Sequence, residues 1–62
     1  MTKAEAVATM ARDAFDAAQL AHDHAVDFDH NYHQETTEYT FDDGSTLRIS
    51  RSDYWPTTNR SN

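Results

Sequence analysis

The stretch that decides the fold is residues 3–32, which read KAEAVATMARDAFDAAQLAHDHAVDFDHNY. Apolar residues recur in it at alternating steps of three and four, the spacing that keeps side chains on one face of a helix. The residues of this face, here called the alanine seam, are Ala4, Val7, Ala11, Ala14, Ala18, Ala21, Ala25, Phe28 and Tyr32. Alanine has the highest helix propensity, and neither Gly nor Pro interrupts the stretch. We therefore predict one long helix over residues 3–32.

The two ends of this predicted helix are marked differently. Thr2 and Glu5 stand three residues apart and match a Thr-x-x-Glu capping box, in which each side chain accepts a backbone N–H of the other residue. At the other end, the charged Asp29 falls on the edge of the alanine seam. A bend or an end of the helix near Asp29 therefore stays open as an alternative.

Residues 36–50 alternate between polar and apolar side chains, which predicts a β-hairpin with strands at about 36–41 and 45–50. A two-residue turn would send the large apolar residues of the two strands to opposite faces of the hairpin. A three-residue turn from Asp42 to Gly44 pairs Tyr39 with Leu47 and places the apolar residues on one face. We predict the three-residue turn, with Gly44 in the left-handed region.

These elements predict an α+β fold of one small domain, residues 1–62, in which the hairpin packs on the apolar face of the helix and residues 56–62 form a flexible tail. The lengths do not match, because a helix of thirty residues spans about 45 Å and a strand of six residues only about 20 Å. Either the helix breaks and folds back, or part of the alanine seam packs against a second copy or another partner.

Composition limits the function. The chain carries five basic and eleven acidic residues, for a formal charge of −6, and it has no cysteine and no apolar run that could span a membrane. Its first residues lack the basic and apolar regions of a signal peptide, so a soluble cytoplasmic protein is expected. An acidic chain is repelled by nucleic acid and by anionic membranes. The expected partner is therefore the basic surface of a protein, with no direct contact to nucleic acid or membrane.

Chemistry at a catalytic or metal site finds little support in the sequence. With a single glycine there is no phosphate-binding glycine loop, and no serine has a recognisable nucleophile setting. Four histidines lie among the aspartates and could bind a metal ion if they converged, but one helix seldom supplies more than two ligands to one ion. These histidines are His22, His24, His30 and His33. We predict no catalytic residue, no cofactor and no metal ligand.

Opposite the alanine seam, carboxylates recur with helical spacing around one leucine. These residues are Asp13, Asp16, Leu20, Asp23 and Asp27. Carboxylates about 5–6 Å apart on one helix face resemble the charge spacing of a nucleic-acid backbone, and a leucine among them could enter a pocket of the partner. A hairpin beside the helix would extend the negative surface through Glu35, Glu38, Asp42 and Asp43.

The function predicted from this surface is a small acidic, non-enzymatic protein-binding module. By analogy of size and charge with proteins of phages and mobile elements, it would inhibit a CRISPR effector, a restriction enzyme or a polymerase by occupying the enzyme's basic nucleic-acid-binding surface. The sequence does not decide between DNA and RNA as the polymer imitated. Two alternatives remain: a structural module that forms a homodimer or larger oligomer through the alanine seam, and a histidine–aspartate metal-binding protein.

Overall fold

The computed structural model describes residues 1–58 of the 62. Two helices come first and four strands follow, which makes the chain α+β in class. The elements are α1 (Lys3–Met10), α2 (Ala14–His24), β1 (Asp27–Asn31), β2 (Thr36–Thr40), β3 (Ser45–Ile49) and β4 (Tyr54–Thr58). No helix in this described part is long and apolar enough to cross a membrane, since the longer of the two has 11 residues.

The four strands form one antiparallel sheet in the order β1-β2-β3-β4. The prediction of a two-stranded hairpin is therefore wrong, because the hairpin is the centre of a larger sheet. Its predicted turn is confirmed: the Gly44 N–H donates to the Phe41 carbonyl at 3.0 Å, and Gly44 has a φ of +86°. The predicted register is confirmed too, with Tyr39 opposite Leu47. Burial of one face thus decided the register, as alternation requires.

The prediction of one helix over residues 3–32 is wrong. α1 ends at Met10, and the backbone is extended at Ala11, with a φ of −71° and a ψ of 143°. Asp13 then caps α2, because its Oδ1 accepts the N–H of Asp16 at 2.8 Å. Aspartate competes for backbone N–H groups and so favours helix starts over helix interiors. The break falls here and not near Asp29.

The break allows both halves of the alanine-rich stretch to lie on the sheet. An unbroken helix of thirty residues would be about 45 Å long, whereas the described part of the molecule measures 28 Å along its longest axis. Folding back lets α1 bury Ala4 and Val7 while α2 buries Ala17 and Ala21. A single long helix would extend beyond the sheet and leave part of its apolar face uncovered, so two shorter helices are favoured.

Residues Asp27–Asn31 form β1 where the helical pattern predicted the last turns of the helix. The α2 helix ends where the alanines stop, with the Ala25 N–H donating to the Ala21 carbonyl at 2.7 Å. Beyond Ala25, apolar or aromatic residues alternate with polar ones, a period of two that is typical of strands. Phe28 also fits the spacing of the alanine seam, which explains why the helical pattern captured this segment.

The prediction of a flexible tail over residues 56–62 is wrong for residues 56–58, which belong to β4. Residues 59–62 lie outside the described residues. Pro56 cannot donate a backbone hydrogen bond, and proline is tolerated in a sheet mainly on an edge strand. β4 is such an edge strand, so the proline that pointed to a tail is compatible with the sheet.

One face of the sheet packs against both helices and forms the core. Phe41, Leu47 and Ile49 contribute the large buried side chains from the sheet, and alanines with Val7 contribute from the helices. Burying a side chain of that size stabilises the fold by about 1.5–3 kcal/mol. Because alanines let the helices approach the sheet closely, a few large residues suffice for the core of this small domain.

The first turn of α1 is tied to the turn between β2 and β3. The Ser45 Oγ accepts the N–H of Ala4 at 3.1 Å, and the Asp43 Oδ2 accepts the N–H of Lys3 at 2.8 Å. These two backbone N–H groups have no partner within the helix. A turn about forty residues away in the chain therefore satisfies the start of α1, beside the capping box of Thr2, which is confirmed.

Asp43 is held by several donors. Its Oδ1 accepts from the Ser45 hydroxyl at 2.5 Å and from the Ser45 N–H at 2.9 Å, in addition to the bond from Lys3. These hydrogen bonds, led by that from the Ser45 side chain, lower the pKa of Asp43 to about 2. The ionised form of Asp43 is therefore part of the folded structure.

Candidate functional site

The acidic residues predicted on one helix face lie on different elements. Asp13 caps α2, and Asp16 in the first turn accepts the N–H of Arg12 at 3.1 Å and lies 3.8 Å from its side-chain Nε. Both carboxylates therefore serve the start of the helix. Asp23 lies exposed in the last turn of α2, and Asp27 is the first residue of β1. The predicted stripe is thus divided between helix start, helix end and strand.

Leu20, predicted as the exposed anchor among the aspartates, is partly buried and packs against the core. Because α2 lies on the sheet, a residue in the middle of this short helix contributes to the packed layer more than to the outer surface. Leu20 therefore contributes to the packing of the fold and is not the exposed anchor that the sequence pattern predicted.

The acidic residues predicted on the hairpin are mostly neutralised by cations of the same chain. The salt bridges are Glu35–Arg51 at 2.6 Å, Glu38–Arg48 at 3.1 Å and Asp42–Lys3 at 2.5 Å. The bond with Asp42 also raises the pKa of Lys3. Asp43 is engaged by the start of α1, as described above. These four residues hold the turns of the sheet in place.

Seven carboxylates have no salt-bridge partner within residues 1–58. Four of them are Glu5, Asp13, Asp43 and Asp53, and the other three lie at the end of α2 and in β1. Each of the four Lys and Arg residues within residues 1–58 has a carboxylate partner, while Asp23, Asp27 and Asp29 have no cationic partner in this part of the chain. All three carboxylates are exposed. Together with the exposed apolar residues Val26 and Phe28, they form the surface here called the acidic edge.

Two further features make the acidic edge more negative. Asp29 lies directly opposite Glu38 in the β1–β2 register, and like charges in that position repel each other. The C-terminus of α2 ends at His24, where the free carbonyls carry a partial negative charge of about half a unit. Arg48, which pairs with Glu38 at 3.1 Å, offsets part of this repulsion within the fold.

The apolar part of the acidic edge is centred on Phe28. Val26 is 65% exposed and Phe28 is 59% exposed. The Phe28 ring packs on Tyr39 with ring centroids 6.0 Å apart and on His22 with centroids 6.2 Å apart. A shallow cavity of about 260 Å³ opens beside this ring, and it is lined by His22, Ala25, Val26, Asp27, Phe28 and Tyr39. This cavity is large enough for an apolar side chain, and Asp27 is the one carboxylate of the acidic edge that lines it.

The histidines do not converge on one point. His30 Nδ1 is 2.8 Å from the Thr37 hydroxyl, and its ring stacks edge-on against Tyr32 with centroids 4.4 Å apart. His22 packs on Phe28 at the end of α2 instead. Within residues 1–58, no group of three or more His, Asp or Glu side chains is arranged to hold a metal ion. The described geometry therefore gives no support to the metal-binding alternative.

Comparison of the chain with family models, with curated proteins and with solved structures finds no match. The binding surface predicted from the sequence includes Asp23 and Asp27 but neither Asp29 nor Phe28. The alternation of residues 26–32 is the signal that could have placed these two residues on opposite faces of a strand.

Proposed function

We propose that this chain is a small acidic, non-enzymatic binding module that inhibits a nucleic-acid-processing enzyme by occupying its basic surface. The observation that carries the proposal is the acidic edge, where three exposed carboxylates without a cationic partner among residues 1–58 lie at the end of α2 and in β1, the strand that also exposes Phe28. A partner surface rich in Arg and Lys would complement the negative charge of this edge.

The carboxylates and the aromatic ring of the acidic edge would contribute differently to the proposed contact. Long-range attraction by Asp23, Asp27 and Asp29 would speed association with a basic groove. The Phe28 ring and the cavity beside it would supply apolar contact area, which contributes most when it is fully covered by the partner. Nucleic acid, which is itself negatively charged, is excluded from the same groove by competition.

The enzyme classes proposed are those in which a basic groove is essential: CRISPR effectors, restriction enzymes and polymerases. Such enzymes act on nucleic acid inside cells, so the proposal includes a cytoplasmic location. The alanine-seam alternative is less favoured, because Ala4, Val7 and Ala21 of the seam are buried within the chain and offer no surface to a second copy.

Charge reversal tests the proposal. A labelled duplex bound to a representative of each enzyme class is titrated with the chain, and its release is followed by fluorescence anisotropy. We expect release by the wild-type chain and at least about tenfold weaker release by the Asp23→Lys, Asp29→Lys double variant, the loss of roughly 1.4 kcal/mol. Asp29→Lys places a cation opposite Glu38, so the double variant should keep its fold.

The control for position is Asp53→Lys, which reverses a charge in the turn before β4, at the opposite edge of the sheet, and it is compared with the single variant Asp29→Lys, which changes the net charge by the same amount. This control should release the duplex as the wild type does, and added salt should weaken the release by both proteins. Failure to release duplex from any of the three enzyme classes, or equal activity of the double variant and the wild type, would contradict the proposal.

A further inference from the structure

The hydrogen-bonding pattern of β2 determines which backbone groups of β1 are free. At the β2–β3 turn, the Phe41 N–H donates to the Ser45 carbonyl at 2.9 Å. Backbone groups of successive residues in an antiparallel strand point to alternate sides. Odd-numbered residues of β2 therefore bond to β3, while Thr36, Glu38 and Thr40 direct their backbone groups toward β1.

The partners of these three residues in β1 are Asn31, Asp29 and Asp27. The two residues between them, Phe28 and His30, therefore direct their N–H and C=O groups away from the sheet. β1 is the first strand in the sheet order and has a free outer edge in the described part of the chain. That edge presents the backbone pattern to which another strand can pair.

The opposite edge of the sheet is less open to such pairing, because a proline stands in the middle of β4. By the same alternation, Tyr54 and Pro56 of β4 point outward, since Trp55 pairs with Arg48 of β3. Pro56 has no N–H, and the Tyr54 N–H already donates to the Asp53 Oδ1 at 2.8 Å. Proline on an edge strand is a common protection against further pairing. Only one edge of the described sheet is protected in this way.

The outer edge of β1 keeps one outward donor. The Phe28 N–H donates to the Asp27 Oδ1 at 2.9 Å, in the same manner as Tyr54 on the other edge. The His30 N–H, which has no proline equivalent in its place, points outward and is open to a carbonyl of another strand. The exposed bond from Phe28 to the Asp27 carboxylate contributes little to stability and can be exchanged for one to a partner.

The side chains beside this edge define the strand that would fit it. Asp27 and Asp29 lie on the face of the sheet without helices, whereas Phe28 lies on the helix-covered face beside Tyr39. Residues of an added strand alternate between these faces. A matching segment therefore has basic side chains on one face, next to the two aspartates, and apolar side chains on the other, next to Phe28.

We propose that the outer edge of β1 accepts an extended segment of the partner protein in which Arg or Lys alternates with apolar residues, and that this segment adds a strand to the sheet. The proposal rests on the proposed function, because it assigns the binding mode and the chemistry of the partner at the same acidic edge. Main-chain hydrogen bonds at Phe28 and His30 supply affinity, and the aspartates select a basic segment.

A second copy of β1 fits this edge poorly. In an antiparallel pair centred on Asp29, the Asp29 side chains of the two copies lie directly opposite each other. In a pair centred on Phe28, Asp27 of each copy lies opposite Asp29 of the other. Like charges directly opposite each other destabilise a strand pair. In these two registers the carboxylates therefore oppose pairing between copies, and they favour a basic partner.

Two peptides of equal composition and charge test the binding mode. The first is acetyl-Arg-Val-Arg-Val-Arg-Val-Arg-amide, and the second is its permutation acetyl-Arg-Arg-Arg-Arg-Val-Val-Val-amide. Both are titrated into the isotopically labelled chain, and amide signals and hydrogen exchange are followed by NMR. We expect the alternating peptide to bind about tenfold more tightly than the permuted one and to protect the His30 amide from exchange.

Two variants at His30 isolate the backbone donor. His30→Pro removes the outward N–H, as Pro56 does on the other edge, whereas His30→Ala removes the same imidazole and keeps the N–H. We expect His30→Ala to retain the preference for the alternating peptide and His30→Pro to lose it. Thermal unfolding of both variants establishes whether the fold persists, and protection of the His30 amide in the wild type decides the question independently.

The outcomes separate this proposal from the function on which it rests. Equal binding of the two peptides, binding of neither, or an unprotected His30 amide in the bound state would overturn strand addition. Equal binding that is lost in the Asp23→Lys, Asp29→Lys variant would leave charge recognition by the acidic edge intact. If the alternating peptide adds as a strand but the chain releases no duplex from the enzymes, the binding mode is retained and the inhibitor function is contradicted.

Discussion

Replacing Ser45 by alanine tests the hydrogen bonds that join the first helix to the sheet. Ser45 is 1% exposed, and its Oγ accepts the N–H of Ala4, which is fully buried. Alanine at position 45 would leave that N–H buried without a partner, at a cost of about 1–3 kcal/mol. It would also remove the hydroxyl that donates to Asp43. We expect the free energy of unfolding to fall by about 2 kcal/mol.

Urea unfolding at neutral pH and differential scanning calorimetry measure this loss. For a domain of this size, about 2 kcal/mol lowers the melting temperature by roughly 8–16 °C. The matched control is Ser50→Ala, because the Ser50 hydroxyl donates to the Asp53 carbonyl at 3.2 Å in an exposed turn. This control should change the free energy of unfolding by no more than about 0.5 kcal/mol.

A second measurement follows the same variant. The hydrogen bond from the Ser45 side chain is the largest cause of the low pKa of Asp43. In Ser45→Ala the pKa of Asp43, read from carboxyl carbon shifts by NMR, should therefore rise toward its ordinary value. Equal stability losses in Ser45→Ala and Ser50→Ala, or an Asp43 pKa that stays near 2, would refute the tertiary capping of α1.

Two further predictions concern stability. The pKa of Asp43 is about 2 in the folded protein, against an ordinary value of 3.8. The ionised carboxylate therefore stabilises the fold at pH values above 3.8, and this stabilisation is lost as the pH falls from 3.8 toward 2. Urea unfolding of Asp43→Asn should therefore depend less steeply on pH in this window than the wild type, and an equal dependence would contradict the assignment. Leu20→Ala should lower the free energy of unfolding by about 1–2 kcal/mol. Its control is Phe15→Ala, at a residue 73% exposed, which should change the free energy of unfolding by less than about 0.5 kcal/mol. Equal effects of the two variants in thermal unfolding would contradict the packing of Leu20 against the core.

The elements that could be predicted are those whose signals are local. Thr2 and Glu5 marked the start of α1, because a capping box depends on residues three apart. Gly44 and the alternation around it predicted the β2–β3 turn and its register, since one apolar face had to be buried. Both inferences required only neighbours in the chain and one rule about burial.

The break between the helices could not be predicted in the same way. Nothing in the residues around Asp13 forbids a helix, and helical spacing continues across them. The break is favoured because two short helices cover the sheet and a long one does not. The mismatch in length between helix and hairpin indicated that the helix could break, but the position of the break depended on packing between residues distant in the chain.

The candidate site shows the same division. The total charge of −6 predicted an acidic surface, and Asp23 and Asp27 were among the residues expected to form it. Pairing with Arg48 and Arg51 neutralised Glu38 and Glu35, which only the fold could reveal. Which carboxylates keep an unpaired charge therefore depends on the salt bridges that the fold forms, and Asp23, Asp27 and Asp29 are three of those that do.

The sequence by itself determined the local features of this protein: where helix can begin, how the central hairpin turns, and that the chain as a whole is acidic. Tertiary structure decided where the alanine-rich stretch breaks, that Asp27 to Asn31 form a strand, and that Leu20 packs against the core while Phe28 lies exposed. The reason is that helical and strand spacing overlap in short segments, and burial on a shared sheet selects between them.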